Sequence, residues 1–146
     1  MRSPLVITER GVECIARFVC PNRKISTTLD FIVDTGSGLS FIGYKDALQM
    51  GVEFDELGPY GRPVAGFGGA ADARHLSDPC YVYVDFDKEL HQVDLPEGVL
   101  VYRPSRKGSK RWKTEESVSL LGRDFEKASG LTLAINLSRG EAYLEK

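Results

Sequence analysis

The sequence predicts an all-β fold with one or two short helices, and three observations predict it. Apolar and polar residues alternate with a period of two in several short runs, turn-forming residues separate those runs, and the helix-like segments are brief. Val12, Cys14, Ala16 and Phe18 alternate with Glu13, Ile15 and Arg17, the pattern of a half-buried strand. Pro21-Asn22-Arg23-Lys24 supplies turn chemistry, and Leu29, Phe31 and Val33 then alternate again. Together these runs predict a hairpin that delivers the chain to Asp34. Tyr44 to Met50 suits a short helix, with Gly51 placed to end it in the left-handed region that glycine tolerates best. Tyr81 to Phe86 and Val99 to Tyr102 are further predicted strands. Arg123 to Ser129 is a second short helix stopped by Gly130, and Leu131, Leu133, Ile135 and Leu137 alternate ahead of Ser138-Arg139-Gly140, so the chain closes on a hairpin. Short strands with turns between them predict a barrel or a sandwich.

Length and composition narrow the class. The chain has 146 residues, suited to one domain over 1–146, with 42% hydrophobic and 27% charged residues. A formal net charge of -2 gives no reason to expect nucleic acid or an anionic membrane as partner. No apolar run approaches the roughly 18 residues of a membrane span, and the first ten residues lack the apolar stretch of a secretory signal. The expectation is a cytoplasmic protein without a membrane partner. Cys14, Cys20 and Cys80 are odd in number and lack metal-ligand spacing, and His75 and His91 are the only histidines, so free thiols are expected and a zinc site is not.

The segment that carries chemistry is Leu29-Asp30-Phe31-Ile32-Val33-Asp34-Thr35-Gly36-Ser37-Gly38. An apolar strand runs into Asp-Thr-Gly-Ser, which sets a carboxylate at a strand end beside a tight turn. An ionised carboxylate leaving water needs donors, and the backbone N–H groups around Gly36 and the Ser37 hydroxyl are available. By itself the tetrapeptide fits a strand-ending turn equally well, since Asp, Thr, Gly and Ser are common turn residues. A second segment, Ser117-Val118-Ser119-Leu120-Leu121-Gly122-Arg123-Asp124-Phe125, has two aliphatics, a glycine and then a short helix. Between the two lies Val64-Ala65-Gly66-Phe67-Gly68-Gly69-Ala70.

Asp-Thr-Gly-Ser followed by Leu-Leu-Gly-Arg-Asp resembles the retroviral-type, or retropepsin-like, aspartic proteases. The resemblance implies a closed β-barrel and an endopeptidase that uses no metal or cofactor. It implies that Asp34 is catalytic, that Thr35, Gly36 and Ser37 support it, and that Leu120, Leu121 and Gly122 pack behind the catalytic loop. Gly66, Phe67, Gly68 and Gly69 would then form the flap that closes over an extended peptide or protein substrate. Peptide hydrolysis of this type needs two carboxyls, one ionised to take a proton from water and one protonated to donate to the scissile carbonyl. The chain has one Asp-Thr-Gly, and Asp85, Asp87 and Asp94 have no equivalent setting. A second copy must supply the other carboxyl, so a homodimer is expected. By resemblance, each Thr35 hydroxyl reaches across to the partner loop, and Leu131 to Leu144 joins the dimer sheet. Many relatives place an acidic residue after the tetrapeptide to pair with the arginine of Gly-Arg-Asp; here Gly38 and Leu39 stand there, which leaves the partner of Arg123 open.

Two other readings compete. The same dimeric barrel could bind peptides as a catalytically silent module. Gly66-x-Gly68-x-x-Ala71 also fits a loose dinucleotide fingerprint, but the Ala-Asp-Ala-Arg-His-Leu-Ser-Asp-Pro that follows is too short and Pro-terminated for a crossover helix. His75 is expected as a solvated strand residue and Trp112 as a loop anchor. Arg103 to Glu116 is basic and without apolar periodicity, a solvated insertion or a positive rim beside the cleft.

Overall fold

In a computed structural model of the protein, residues 1–60, 64–66, 69–104 and 117–146 are described. Thirteen strands and two short α-helices make up this part. In chain order the strands are β1 (Arg2–Thr8), β2 (Gly11–Cys20), β3 (Ile25–Val33), β4 (Phe41–Gly43), β5 (Gly58–Pro59), β6 (Val64–Gly66), β7 (Gly69–Leu76), β8 (Cys80–Asp85), β9 (Leu90–Leu95), β10 (Val99–Pro104), β11 (Ser119–Leu121), β12 (Thr132–Asn136) and β13 (Glu141–Glu145). The helices are α1 (Tyr44–Gln49) and α2 (Arg123–Ser129).

The alternation in β2 does what its period dictates. Cys14, Ala16, Phe18 and Cys20 are buried while Ile15 is 65% exposed. Its partner β3, joined by a 3₁₀ turn over Pro21–Arg23, buries Leu29, Phe31, Ile32 and Val33. Phe18, Phe31, Leu76, Val82, Val93, Val101, Leu121 and Phe125 belong to one contiguous core, each large side chain contributing about 1.5–3 kcal/mol by leaving water. Phe125 fixes α2 against that core, and Gly130 at φ 67° ends the helix in the left-handed region, as expected from its position.

The strand order runs β12-β13-β1-β2-β3-β11-β4-β10-β7-β5, with β6 on β7 and the β8–β9 hairpin on β2. Among the described residues this path is open: β12 and β5 stand at its ends and do not pair with each other. The closed barrel expected from the sequence is therefore not formed by these strands. The reason lies in β1, whose first half pairs with β13 and whose second half pairs with β2, so the terminal strands extend the sheet outward. Two parallel pairings, β3 with β11 and β4 with β10, bring segments distant in sequence side by side. No helix among the described residues is long and apolar enough to cross a membrane.

Candidate active site

Asp34 follows directly on β3, half-buried, where the strand leaves the core. Its amide donates to the Leu121 carbonyl at 2.9 Å, carrying the β3–β11 ladder one step past Val33 opposite Leu121. The turn then folds back: the Ser37 amide donates to the Asp34 carbonyl at 3.2 Å, and the Gly36 amide donates to Asp34 Oδ1 at 2.9 Å. A backbone donor thus fixes one carboxylate oxygen.

The Ser37 hydroxyl is placed otherwise than expected. It donates to the Leu39 carbonyl at 2.7 Å, and a hydroxyl has one proton to give. It stiffens the loop and does not donate to the Asp34 carboxylate. Thr35 is exposed in the single chain.

Behind the loop sits the Leu120-Leu121-Gly122 segment, with both leucines buried. A Cβ on Gly122 would stand 2.4 Å from the Leu39 carbonyl oxygen and 2.8 Å from that of Ser37. Only a residue without a side chain allows the two backbones to approach this closely. The contact is cinched by the Arg123 amide donating to Ser37 O at 2.8 Å and the Asp124 amide to Gly38 O at 3.3 Å. Arg123 finds its partner here as well: Nη1 donates to the Thr35 carbonyl at 2.9 Å. A main-chain oxygen of the loop does the work of the missing acidic side chain.

Sequence reasoning passed over two residues that hold this junction. Ser40, 1% exposed, donates its hydroxyl to Asp124 Oδ1 at 2.6 Å and its amide to Oδ2 at 3.0 Å, while its Oγ accepts from the Gly122 amide at 3.0 Å. Asp124 Oδ1 also accepts from the Phe125 amide at 2.7 Å. An acid in the first turn of α2, right after Leu-Leu-Gly, was the available signal for Asp124. Ser40 had none, because its role depends on a segment distant in sequence.

The glycine-rich stretch forms two antiparallel strands, with Gly66 opposite Gly69 and Val64 opposite Ala71. Phe67 and Gly68, between them in sequence, lie outside the described residues, as do Trp112 and the basic residues at 105–116. His75 lies on β7, half-buried and not freely solvated; its Nε2 is 2.7 Å from the Glu97 carbonyl oxygen. It lines a cleft of about 380 Å³ with Leu39, Ser40, Tyr60, Val99 and Leu100, so the cleft adjoins the Asp34 loop.

No family model matches the chain, and no curated protein does. Among solved structures, a retropepsin-like aspartic protease from Rickettsia conorii superposes with a TM-score of 0.55 at 18% identity, covering 99% of this chain and 89% of that one. The chain has a retropepsin-like fold. EIAV protease, solved in complex with the inhibitor HBY-793, also matches at 18% identity and a TM-score of 0.45, covering 84% of this chain and 91% of its own. In this retropepsin-like fold the two segments singled out in the sequence are neighbours through the β3–β11 pairing and the turn that follows it.

Proposed function

We propose that the chain is an aspartic endopeptidase of extended polypeptides, with an active site made from two Asp34 carboxylates, one from each copy in a homodimer. The observation that carries this reading is the Asp34 turn: a half-buried carboxylate at a strand end, held through one oxygen by the Gly36 amide. One Asp34, ionised, takes a proton from water; the other, protonated, donates to the scissile carbonyl oxygen as the water attacks its carbon. Like charges so close resist joint ionisation, so the pair shares one proton. Thr35 and Arg123 brace the loops, while the β6–β7 hairpin covers a substrate that adds to the sheet as a strand. Support for pairing of two copies comes from β12, which ends the strand order with one edge free among the described residues; Ile135 and Leu137 nearby are 47% and 75% exposed.

The test is cleavage of an unstructured protein at acidic and neutral pH. Asp34→Asn is expected to lower turnover by about 10³-fold or more while leaving the dimer intact. A statine-type inhibitor should titrate one per two chains. Full-rate cleavage by an isolated monomer, or by Asp34→Asn, would overturn the proposal.

A further inference from the structure

Two of the three cysteines face each other. In the antiparallel pairing of β2 with β8, Arg17 lies opposite Tyr83, Phe18 opposite Val82 and Val19 opposite Tyr81. One more step in this register sets Cys20 opposite Cys80. Both belong to the inward set of their strands, with Cys14, Ala16 and Phe18 on one side and Val82 and Val84 on the other, and both are fully buried. The Cys80 Sγ donates to the Asp78 carbonyl at 3.3 Å. Facing residues of an antiparallel pair have Cα atoms about 4.5–5.5 Å apart, inside the range of about 4.4–6.8 Å that a disulfide needs. Cys14 has no such neighbour: it lies opposite Phe31.

We propose that Cys20 and Cys80 are a redox-responsive dithiol that closes into an internal disulfide joining β2 to β8. The oxidant is a small-molecule disulfide. The thiolate of one cysteine attacks it, breaking its S–S bond and releasing one small thiol. The second cysteine, as thiolate, then attacks the mixed disulfide and releases the other small thiol. Two protein thiols are oxidised by two electrons, one disulfide is reduced, and the two protons end on the released thiols.

The reaction is slow in the closed fold. Burial pushes the Cys80 thiol up, and the neighbouring Cys20 adds to this, so little thiolate forms there. The Arg23–Asp78 pair, Nε to Oδ2 at 2.7 Å, spans the same end of the sheet and opposes its opening. Oxidation therefore proceeds through local separation of the end of β2 from β8. That end lies far from the catalytic loop, since Cys20 pairs with Ile25 at the start of β3 and Asp34 follows its finish. The link shifts stability and leaves turnover unchanged.

The experiment incubates the wild-type chain with oxidised glutathione at mildly alkaline pH, with and without low urea. Mass and melting temperature are then read, so failure of the protease reading leaves the result intact. Expected are a loss of about 2 Da for two hydrogens, a Cys20–Cys80 peptide in a non-reducing digest, and faster formation in urea. The oxidised chain should melt roughly 5–15 °C higher than the dithiol, reversibly with reductant. Cys20→Ala and Cys80→Ala should lose both link and shift, and the wild-type digest decides the matter if either variant fails to fold. A link through Cys14, glutathione adducts without an internal link, three free thiols after the urea incubation, or an oxidised form that melts no higher would each overturn the proposal.

Discussion

The junction of β3, β11 and α2 and the terminal sheet of β1, β12 and β13 both join segments far apart in sequence, but by different means. At the junction, main-chain groups meet main-chain groups across the loop, Gly122 permits the approach, and the Asp124–Ser40 pair is largely shielded from water. In the terminal sheet, Leu5, Ala142 and Leu144 anchor the inner face, whereas the outer face carries the exposed Arg2–Glu145 pair at 2.7 Å, with the Arg2 guanidinium 4.0 Å from the Tyr143 ring centre. Exposed ion pairs add little because water and salt screen them, while a buried hydrogen bond whose partner is lost is costly. The difference teaches where position matters. The Asp34 loop is fixed by sterics, main-chain bonds and the donors gathered on the Asp124 carboxylate, and an outer sheet surface needs only approximate alignment.

Gly122→Ala is the strongest way to break this contrast. Its Cβ would collide with backbone that has nowhere to go, and a loss of about 3 kcal/mol or more is expected together with loss of turnover. Urea unfolding measures it; a variant of wild-type stability would show that the close approach is not required. Asp124→Ala comes next. It leaves the Ser40 amide and hydroxyl without their acceptor, for an expected cost of about 2 kcal/mol, and Ser40→Ala in the same background should add much less than it does alone. Additive losses would mean the two residues act separately.

Ser37→Ala sharpens the contrast further. Because the hydroxyl serves the Leu39 carbonyl, the acidic limb of the pH–rate profile should stay in place, with stability falling by about 1 kcal/mol or less. A limb that moves upward would show that the hydroxyl turns to the carboxylate during turnover. The smallest effect belongs to the terminal sheet. Arg2 holds Glu145 below the usual carboxylate range chiefly through their hydrogen bond. A depressed carboxylate contributes stability above its unfolded value near 4.5, and the contribution fades as pH falls below that. Arg2→Ala should leave the melting temperature at neutral pH almost unchanged, and a clear drop would place the terminal sheet in the same class as the junction.

Much of the fold was legible. The period-2 run from Val12 to Phe18 and the Pro21 turn gave β2 and its hairpin with β3, and Gly51 and Gly130 marked the helix ends within a residue. Short strands were not legible: β4 and β11 have three residues each, too few for a period to register, and their stability comes from parallel partners elsewhere in the chain. At the candidate site, Asp34 and the Leu120-Leu121-Gly122 segment could be picked out because their residue types are unusual together. The direction of the Ser37 hydroxyl and the partner of Arg123 could not, since each depends on which carbonyl lies within reach after folding. The openness of the sheet was hidden for a similar reason, as nothing in residues 2–8 announces that the strand changes partner midway.

The parallel pairing of β3 with β11 also has a consequence for the order of assembly. The β2–β3 hairpin needs only a short turn and can form while later parts of the chain are still being made. The Asp34 turn cannot settle then, because the carbonyl that receives its amide belongs to Leu121 and the backbone it rests against belongs to Gly122. Closing so long a loop carries an entropic cost that delays the step. The Asp34 turn is thus set late in folding, and a half-made chain would carry the aspartate without the backbone that holds it.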